Sequence, residues 1–243
     1  MTSTSPITIA HRGASGEAPE NTMAAFRLAL EQGCDAIELD VHLSRDGQLV
    51  VCHDGTIDRT TDRTGAIRDM TADELKRADA GRRFGEAFEG ERIPLLEEVF
   101  GLVPAEIMIN VEIKDTCGRK LEPALLEAMR RHDRLDSVVV SSFDHTSLVA
   151  LKRLEERVKI GLLYDCKPVR HSALAEMTGV PVYSLHPKFK RLDREDVGEA
   201  AMRGLQIYAY TINKEDAMAE AIRMGVSGVI TDYPGRMRQL LKG

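Results

Sequence analysis

The sequence predicts a (β/α)₈ barrel, the α/β fold in which eight parallel strands alternate with helices, and three observations carry that prediction. From residue 7 onward, short β-branched runs alternate with longer segments of helical period. Eight such runs can be counted, more than an open doubly wound sheet commonly holds. The length of 243 residues suits a barrel of about 250, and the GxGxxG turn of a dinucleotide-binding sheet is missing after the first run.

The strand-like runs are residues 7–11, 36–43, 105–114, 137–143, 158–163, 182–186, 206–211 and 228–231. After the first, NTMAAFRLALEQG places Met23, Phe26 and Leu30 on one helical face and stops at Gly33. TSLVALKRLEER and EDAMAEAIRMG repeat the scheme. One interval breaks the rhythm. Between the second run and a helix expected near Leu95 lie a short strand-like LVVCHD and a polar, Arg-rich stretch at 55–92. We expect an insertion there, over the C-terminal face of a single domain spanning 1–243, where it would shape substrate access and govern which alcohol is accepted.

Apolar residues make up 43% of the chain and charged ones 30%, a balance that supports a packed core and excludes disordered or collagen-like classes. Thirty-three Lys and Arg against 39 Asp and Glu leave a net charge of −6, so no basic field draws a nucleic-acid backbone or an anionic membrane surface. No run approaches the ~18 apolar residues of a membrane span. Residues 1–10, MTSTSPITIA, lack the basic start and apolar centre of a signal peptide. The expectation is a cytoplasmic protein without a nucleic-acid partner or stable membrane association. Cys34, Cys52, Cys117 and Cys166 are scattered without CxxC spacing and read as free thiols. The seven histidines form no HExxH pattern, so any metal must be held by carboxylates.

Strand parity locates those carboxylates. In 36–43, Ile37, Leu39, Val41 and Leu43 share one face while Glu38, Asp40 and His42 share the other. An exposed antiparallel strand would alternate in the same way, but the surrounding βα repeats turn the apolar face toward helices and the polar face into the barrel. The next run repeats the parity, with Asn110, Glu112 and Lys114 on the polar face. Glu38, Asp40 and Glu112 then converge near the C-terminal end, where three like charges require cations. Oxygen-only donors favour Mg²⁺ or Ca²⁺; salt bridges to Arg12 and Lys114 without a metal are the competing arrangement.

His11 and Arg12 end the first run in AHRG, and His53 and Asp54 follow in VVCHDG. Two histidines beside a carboxylate-held cation supply the proton-transfer groups that displacement at phosphorus needs. Arg12 and Lys114 would offset the phosphate's charge. His42, on the carboxylates' face, reads as a supporting or packing residue.

These segments resemble the glycerophosphodiester phosphodiesterase family over nearly the full length. The resemblance runs through AHRGASGEAPENTMAAF (10–26), GCDAIELDVHLSRDGQLVVCHD (33–54), RTTDRTG (59–65), IPLLEEV (93–99), NVEIK (110–114), SSF (141–143), YTIN (210–213) and GVSGVITDYP (225–234). It implies hydrolysis of glycerophosphodiesters, such as glycerophosphocholine or glycerophosphoethanolamine, to glycerol 3-phosphate and an alcohol, on a TIM barrel with a divalent cation. The family's acid-base histidines match His11 and His53, its metal carboxylates Glu38, Asp40 and Glu112, and its phosphate-contacting groups Arg12 and Lys114. Glu20 and Asn21 match its PENT signature, where helix capping is the alternative role. Phe143 and Tyr210 are candidate substrate contacts that would otherwise pack at strand ends.

Two departures bear on the leaving group: Tyr210 stands where such enzymes often carry Trp, and Glu17 where an aromatic often precedes APENT. The first alters an aromatic wall against a choline-like cation, and the second adds a carboxylate that would favour an amine. The nucleophile stays open between water and a neighbouring glycerol hydroxyl. Rival functions are a related phosphodiesterase acting on lysophospholipid or sugar phosphodiesters, and a silent barrel that only binds phosphodiesters. Retention of both histidines and all three carboxylates argues against silence.

Overall fold

The structure is a computed structural model that describes residues 5–242, so the first four residues of the N-terminal stretch read above lie outside it. Its strands are β1 (Ile7–His11), β2 (Ala36–Leu43), β3 (Leu49–Val51), β4 (Met108–Ile113), β5 (Val138–Ser142), β6 (Lys159–Tyr164), β7 (Ser184–Pro187), β8 (Gln206–Ala209) and β9 (Gly228–Thr231). The helices are α1 (Met23–Glu31), α2 (Ala72–Leu75), α3 (Leu96–Leu102), α4 (Leu121–Arg131), α5 (His145–Leu154), α6 (Ser172–Met177), α7 (Arg194–Met202), α8 (Glu215–Met224) and α9 (Pro234–Lys242). Eight strands pair in parallel around a ring that closes where β1 meets both β2 and β9. This is the expected (β/α)₈ barrel.

The ninth strand, β3, lies outside the ring. Asp46 and Gly47 turn the chain, with Gly47 at φ 78°, and β3 returns antiparallel along the upper end of β2, pairing Val51 with Val41. Three runs extend two residues or more past an end of the strand they predict, and one of them gives β7, which starts at Ser184 instead of 182. Residues 105–107 form a turn closed by the Ile107 amide on the Pro104 carbonyl, so β4 starts at Met108. Tyr210 lies past the end of β8, joined to Lys188 by a single bridge.

The parity reading holds. Ile37, Leu39 and Val41 of β2, with Ile109, Val111 and Ile113 of β4, face outward into one core with Phe26, Leu96, Leu125 and Leu148 of the helices. Each such side chain contributes about 1.5–3 kcal/mol of burial. Helix α1 starts at Thr22, whose hydroxyl accepts from the Ala25 amide, and the chain leaves it through Gly33 at φ 78°.

Inside the barrel, Ile9, Ala36, Tyr208 and Ile230 form a second, smaller cluster, and large side chains fit because glycines face them. A Cβ on Gly228 would stand 2.7 Å from the Tyr208 ring, and one on Gly161 would stand 2.4 Å from Nε2 of His186. His186 is fully buried, bonded to Ser184 Oγ at 2.8 Å, and burial pushes it down to about 3, so it packs as a neutral ring.

The 55–92 segment carries short helical turns and its own apolar cluster of Ile57, Ile67, Leu75, Ala78 and Ala80, which joins Val50, Cys52 and Ile93. Glu91 reaches the Ala24 amide of α1, and the Thr71 and Glu74 capping box starts α2. No helix among the described residues is long and apolar enough to cross a membrane.

Gly161→Ala should lower stability by about 1–3 kcal/mol through overpacking, measured by urea unfolding. Combining it with His186→Ala should cost less than the two single losses together; strict additivity would show that this contact is not the cause.

Candidate active site

The C-terminal ends of the strands surround a cavity of about 370 Å³, lined by His11, Arg12, Glu38, His53, Asn110, Glu112 and Lys114 on one side. Phe143, Leu163, Asp165, Lys188, Tyr210, Thr211 and Ile230 complete it. Register explains the convergence: His11 pairs with Glu38, Glu38 with Asn110, and Asp40 with Glu112. Inward-facing residues of β1, β2 and β4 therefore stack at the mouth.

Glu38, Asp40 and Glu112 each offer an oxygen, all within 4.8 Å of one another, and all three residues are buried. Two cations attend them. Arg12 Nε lies 3.3 Å from Asp40, while Lys114 Nζ lies 2.6 Å from Glu112 and 3.4 Å from Asp40. Burial opposes ionisation of Asp40, but Arg12, Lys114 and His53 outweigh it and hold this carboxyl low. Glu112 is pushed up to about 7 by burial and by the charge of Asp40, against the pull of Lys114. Glu38 is pushed well above the usual carboxylate range by burial, then by Asp40 and Glu112. Among the described residues no side-chain cation pairs with Glu38; its Oε2 accepts only the Arg12 amide, at 3.0 Å.

These residues fit a divalent cation. The donor set is oxygen alone, Asp40 Oδ1 and Asn110 Oδ1 are buried without a hydrogen-bond partner, and two basic side chains leave the third carboxylate uncompensated. The ion-pair arrangement weighed above is thus present but incomplete.

Two non-glycine residues take left-handed backbone to build the site, Arg12 at φ 55° and Asn21 at φ 56°. That conformation costs of order 1–3 kcal/mol. It lets the Arg12 amide meet Glu38, the Asn21 amide meet the Arg12 carbonyl at 3.0 Å, and Asn21 Nδ2 donate to Asp40 Oδ2 at 2.9 Å. Glu20 accepts from Arg12 Nη1 at 3.0 Å. In the PENT segment, therefore, Glu20 and Asn21 serve the site and Thr22 alone caps the helix.

Each histidine has a carboxylate on Nδ1. His11 meets Asp232 Oδ1 at 2.6 Å, and His53 meets Asp54 Oδ1 at 2.6 Å. This pairing leaves Nε2 as the free nitrogen of each ring. Asp232 accepts from Asn213 Nδ2 at 2.6 Å; burial would raise its pKa, but His11 and Asn213 hold it down. Asp54 is held at about 2 by a hydrogen bond from Arg59 and, against burial, by His53. His42 Nε2 lies 3.2 Å from the His53 carbonyl, a supporting contact.

Phe143 and Tyr210 both border the cavity, edge to face with centroids 6.2 Å apart, and Phe143 is 53% exposed. Tyr210 Oη donates to the Tyr164 carbonyl at 3.1 Å. Lys188 and Arg191 both pair with Asp165 at the rim. One expectation is corrected. Glu17 bonds Gln32 and does not line the cavity, so it adds no carboxylate there. No residue of 55–92 lines the cavity; this segment packs beside β3, α1 and α3 around its own core. Sequence reasoning missed Asp232 and Lys188, whose one available signal was a position just past the end of a barrel strand.

Among known proteins, the chain is 42% identical over 241 residues to a glycerophosphodiester phosphodiesterase of Caldanaerobacter subterraneus subsp. tengcongensis, covering 97% of this chain and 98% of that one. Its fold superposes at a TM-score of 0.92, with 32% identity and 98% of both chains covered, on an Oleispira antarctica phosphodiesterase solved with the product sn-glycerol-3-phosphate. A glycerophosphodiester phosphodiesterase structure from Thermotoga maritima matches at TM-score 0.80 and 30% identity, covering 98% of this chain and 99% of that one. The model of the glycerophosphoryl diester phosphodiesterase family matches residues 11–236, from the first histidine of the cavity into the last helix, and the chain belongs to that family.

Proposed function

We propose that this protein hydrolyses glycerophosphodiesters to glycerol 3-phosphate and an alcohol, with Mg²⁺ or Ca²⁺ held by Glu38, Asp40 and Glu112. The observation that carries the reading is the pair of histidines, each with a carboxylate on Nδ1, bordering the same cavity as Glu38 and Glu112 of an oxygen-only triad. The relatives' named activity agrees with it. The working unit is one domain with 55–92 as its insertion. Four free thiols, with burial pushing Cys34 and Cys52 up to about 12, suit the reducing cytoplasm.

In this reading, Arg12 and Lys114 bind the phosphate oxygens. His11 and His53 serve as the acid-base pair: one takes the proton of the attacking water, or of a glycerol hydroxyl whose cyclic phosphate water then opens, and the other gives one to the departing alcohol oxygen. Asp232 and Asp54 keep both rings in the tautomer with Nε2 toward substrate and stabilise the imidazolium formed on each. A bound divalent cation supplies neutralising charge and polarisation at the phosphate. Glycerol offers hydroxyl oxygens beside the phosphate, so the glyceryl side belongs at the carboxylates and the alcohol toward Phe143, Tyr210 and the rim.

Three outcomes test this. His11→Ala and His53→Ala should each lower kcat about 10²- to 10⁴-fold with substrate still bound; steady-state kinetics showing near wild-type kcat for either would make that ring structural. Chelation should abolish turnover, and Glu38→Gln should raise the melting temperature of the chelated protein by relieving about 1 kcal/mol or more of buried charge. The wild type alone should gain stability when Mg²⁺ or Ca²⁺ is returned, and an equal gain by both proteins would remove Glu38 from the cation site. Phosphorus NMR of glycerophosphocholine digests should show glycerol 3-phosphate; a dominant phosphocholine signal would mean the substrate lies the other way round.

A further inference from the structure

Among the described residues of 55–92, one side chain reaches the groups around the histidines. Arg59 spends three N–H groups on two carboxylates: Nε donates to Asp54 Oδ2 at 2.7 Å, and Nη1 and Nη2 donate to Glu20 Oε2 and Oε1, both at 2.8 Å. Asp54 turns its other oxygen to His53 Nδ1 at 2.6 Å, and Glu20 Oε1 also accepts from Arg12 Nη1 at 3.0 Å. One chain of charge-assisted hydrogen bonds thus runs from His53 through Asp54, Arg59 and Glu20 to Arg12. Its two ends line the cavity; its three middle members do not.

The turn that presents Arg59 is firmly held. Ile57 is fully buried, Thr61 is fully buried and donates its hydroxyl to the Ile57 carbonyl at 2.8 Å, and the Asp79 amide donates to Asp62 Oδ1 at 2.7 Å. The insertion's own core therefore fixes where the guanidinium stands. Arg59 itself is about half exposed, and exposed ion pairs add little to stability. A fork that grips one carboxylate with two parallel N–H groups and a second with a third does give fixed geometry, which a lysine ammonium cannot reproduce.

We propose that Arg59 is a positioning residue that orients His53 and Arg12 together, so that the 55–92 insertion acts on the reaction through this guanidinium. The inference rests on the phosphodiesterase reading above. In it, Arg59 touches neither substrate nor cation. Without it, Asp54 and Glu20 lose their common partner, His53 loses the fixed direction of its Nδ1 acceptor, and Arg12 loses one side of its brace.

The test is steady-state kinetics on glycerophosphocholine with saturating divalent cation, comparing wild type, Arg59→Ala, Arg59→Lys and Glu20→Gln. Arg59→Ala should lower kcat about 10- to 100-fold, the scale set by a small misplacement of reacting groups, with KM changed less than threefold and a melting temperature close to wild type. Arg59→Lys should recover little of it. Guanidinium added below denaturing concentration should raise kcat of Arg59→Ala severalfold and leave wild type unchanged, while Glu20→Gln combined with Arg59→Ala should lose less than the product of the singles. A kcat for Arg59→Ala within twofold of an active wild type, or full recovery by lysine, overturns this inference and leaves the phosphodiesterase reading standing. A wild type that hydrolyses no glycerophosphodiester overturns both.

Discussion

Three buried carboxylates at one end of a closed barrel are the constraint that the rest of the site answers. Glu38, Asp40 and Glu112 face one another because strand register leaves them no other direction. In low-dielectric surroundings their mutual repulsion and desolvation raise Glu38 and Glu112, and Asp40 stays ionised only through the cations around it. The left-handed turn at Arg12, the amide it offers Glu38, the Asn21 side chain on Asp40 and the Lys114 ammonium all follow from that need. A site balanced this way stores unfavourable electrostatics in a scaffold stabilised elsewhere, by the apolar layer between strands and helices.

The division of labour between layers made the triad legible. An alternating strand inside a ring of helices must turn its polar parity inward, so Glu38, Asp40 and Glu112 could be placed from two short segments. His11 and His53 were legible for the same reason, as residues at or just past strand ends. Pairings across the chain were not. Asp232 lies 221 residues from His11 in sequence, and nothing local to either residue announces that they touch. The reach of Arg59 depends likewise on how 55–92 folds around Ile57 and Thr61. The small apolar cluster that organises that segment is spread along its length and gives no local signal.

The rim is built differently from the floor. Below, carboxylates exceed basic groups; above, Lys188 and Arg191 share the single carboxylate of Asp165 beside the Phe143 and Tyr210 pair. With both oxygens engaged, Asp165 has little charge left for a quaternary ammonium, and the aromatic edge-to-face pair offers one exposed ring in place of a cage. The rim residues thus come from the ends of and loops after β5, β6, β7 and β8, whereas the histidines and carboxylates of the floor come from β1, β2, β4 and the segment after β3. On the proposed mechanism, such separation would let head-group preference drift without disturbing proton transfer.

The contact between His11 and Asp232 joins the first barrel strand to the turn after the last. While the chain emerges from the ribosome, Glu38, Asp40, Glu112, both histidines, Arg12 and Lys114 all lie in its first half, well before the carboxylate that meets this imidazole. That contact therefore forms only with ring closure, when β9 inserts between β8 and β1. A nascent or C-terminally clipped chain carries the carboxylates and both imidazoles without this contact, so on the proposed mechanism turnover would report completed folding.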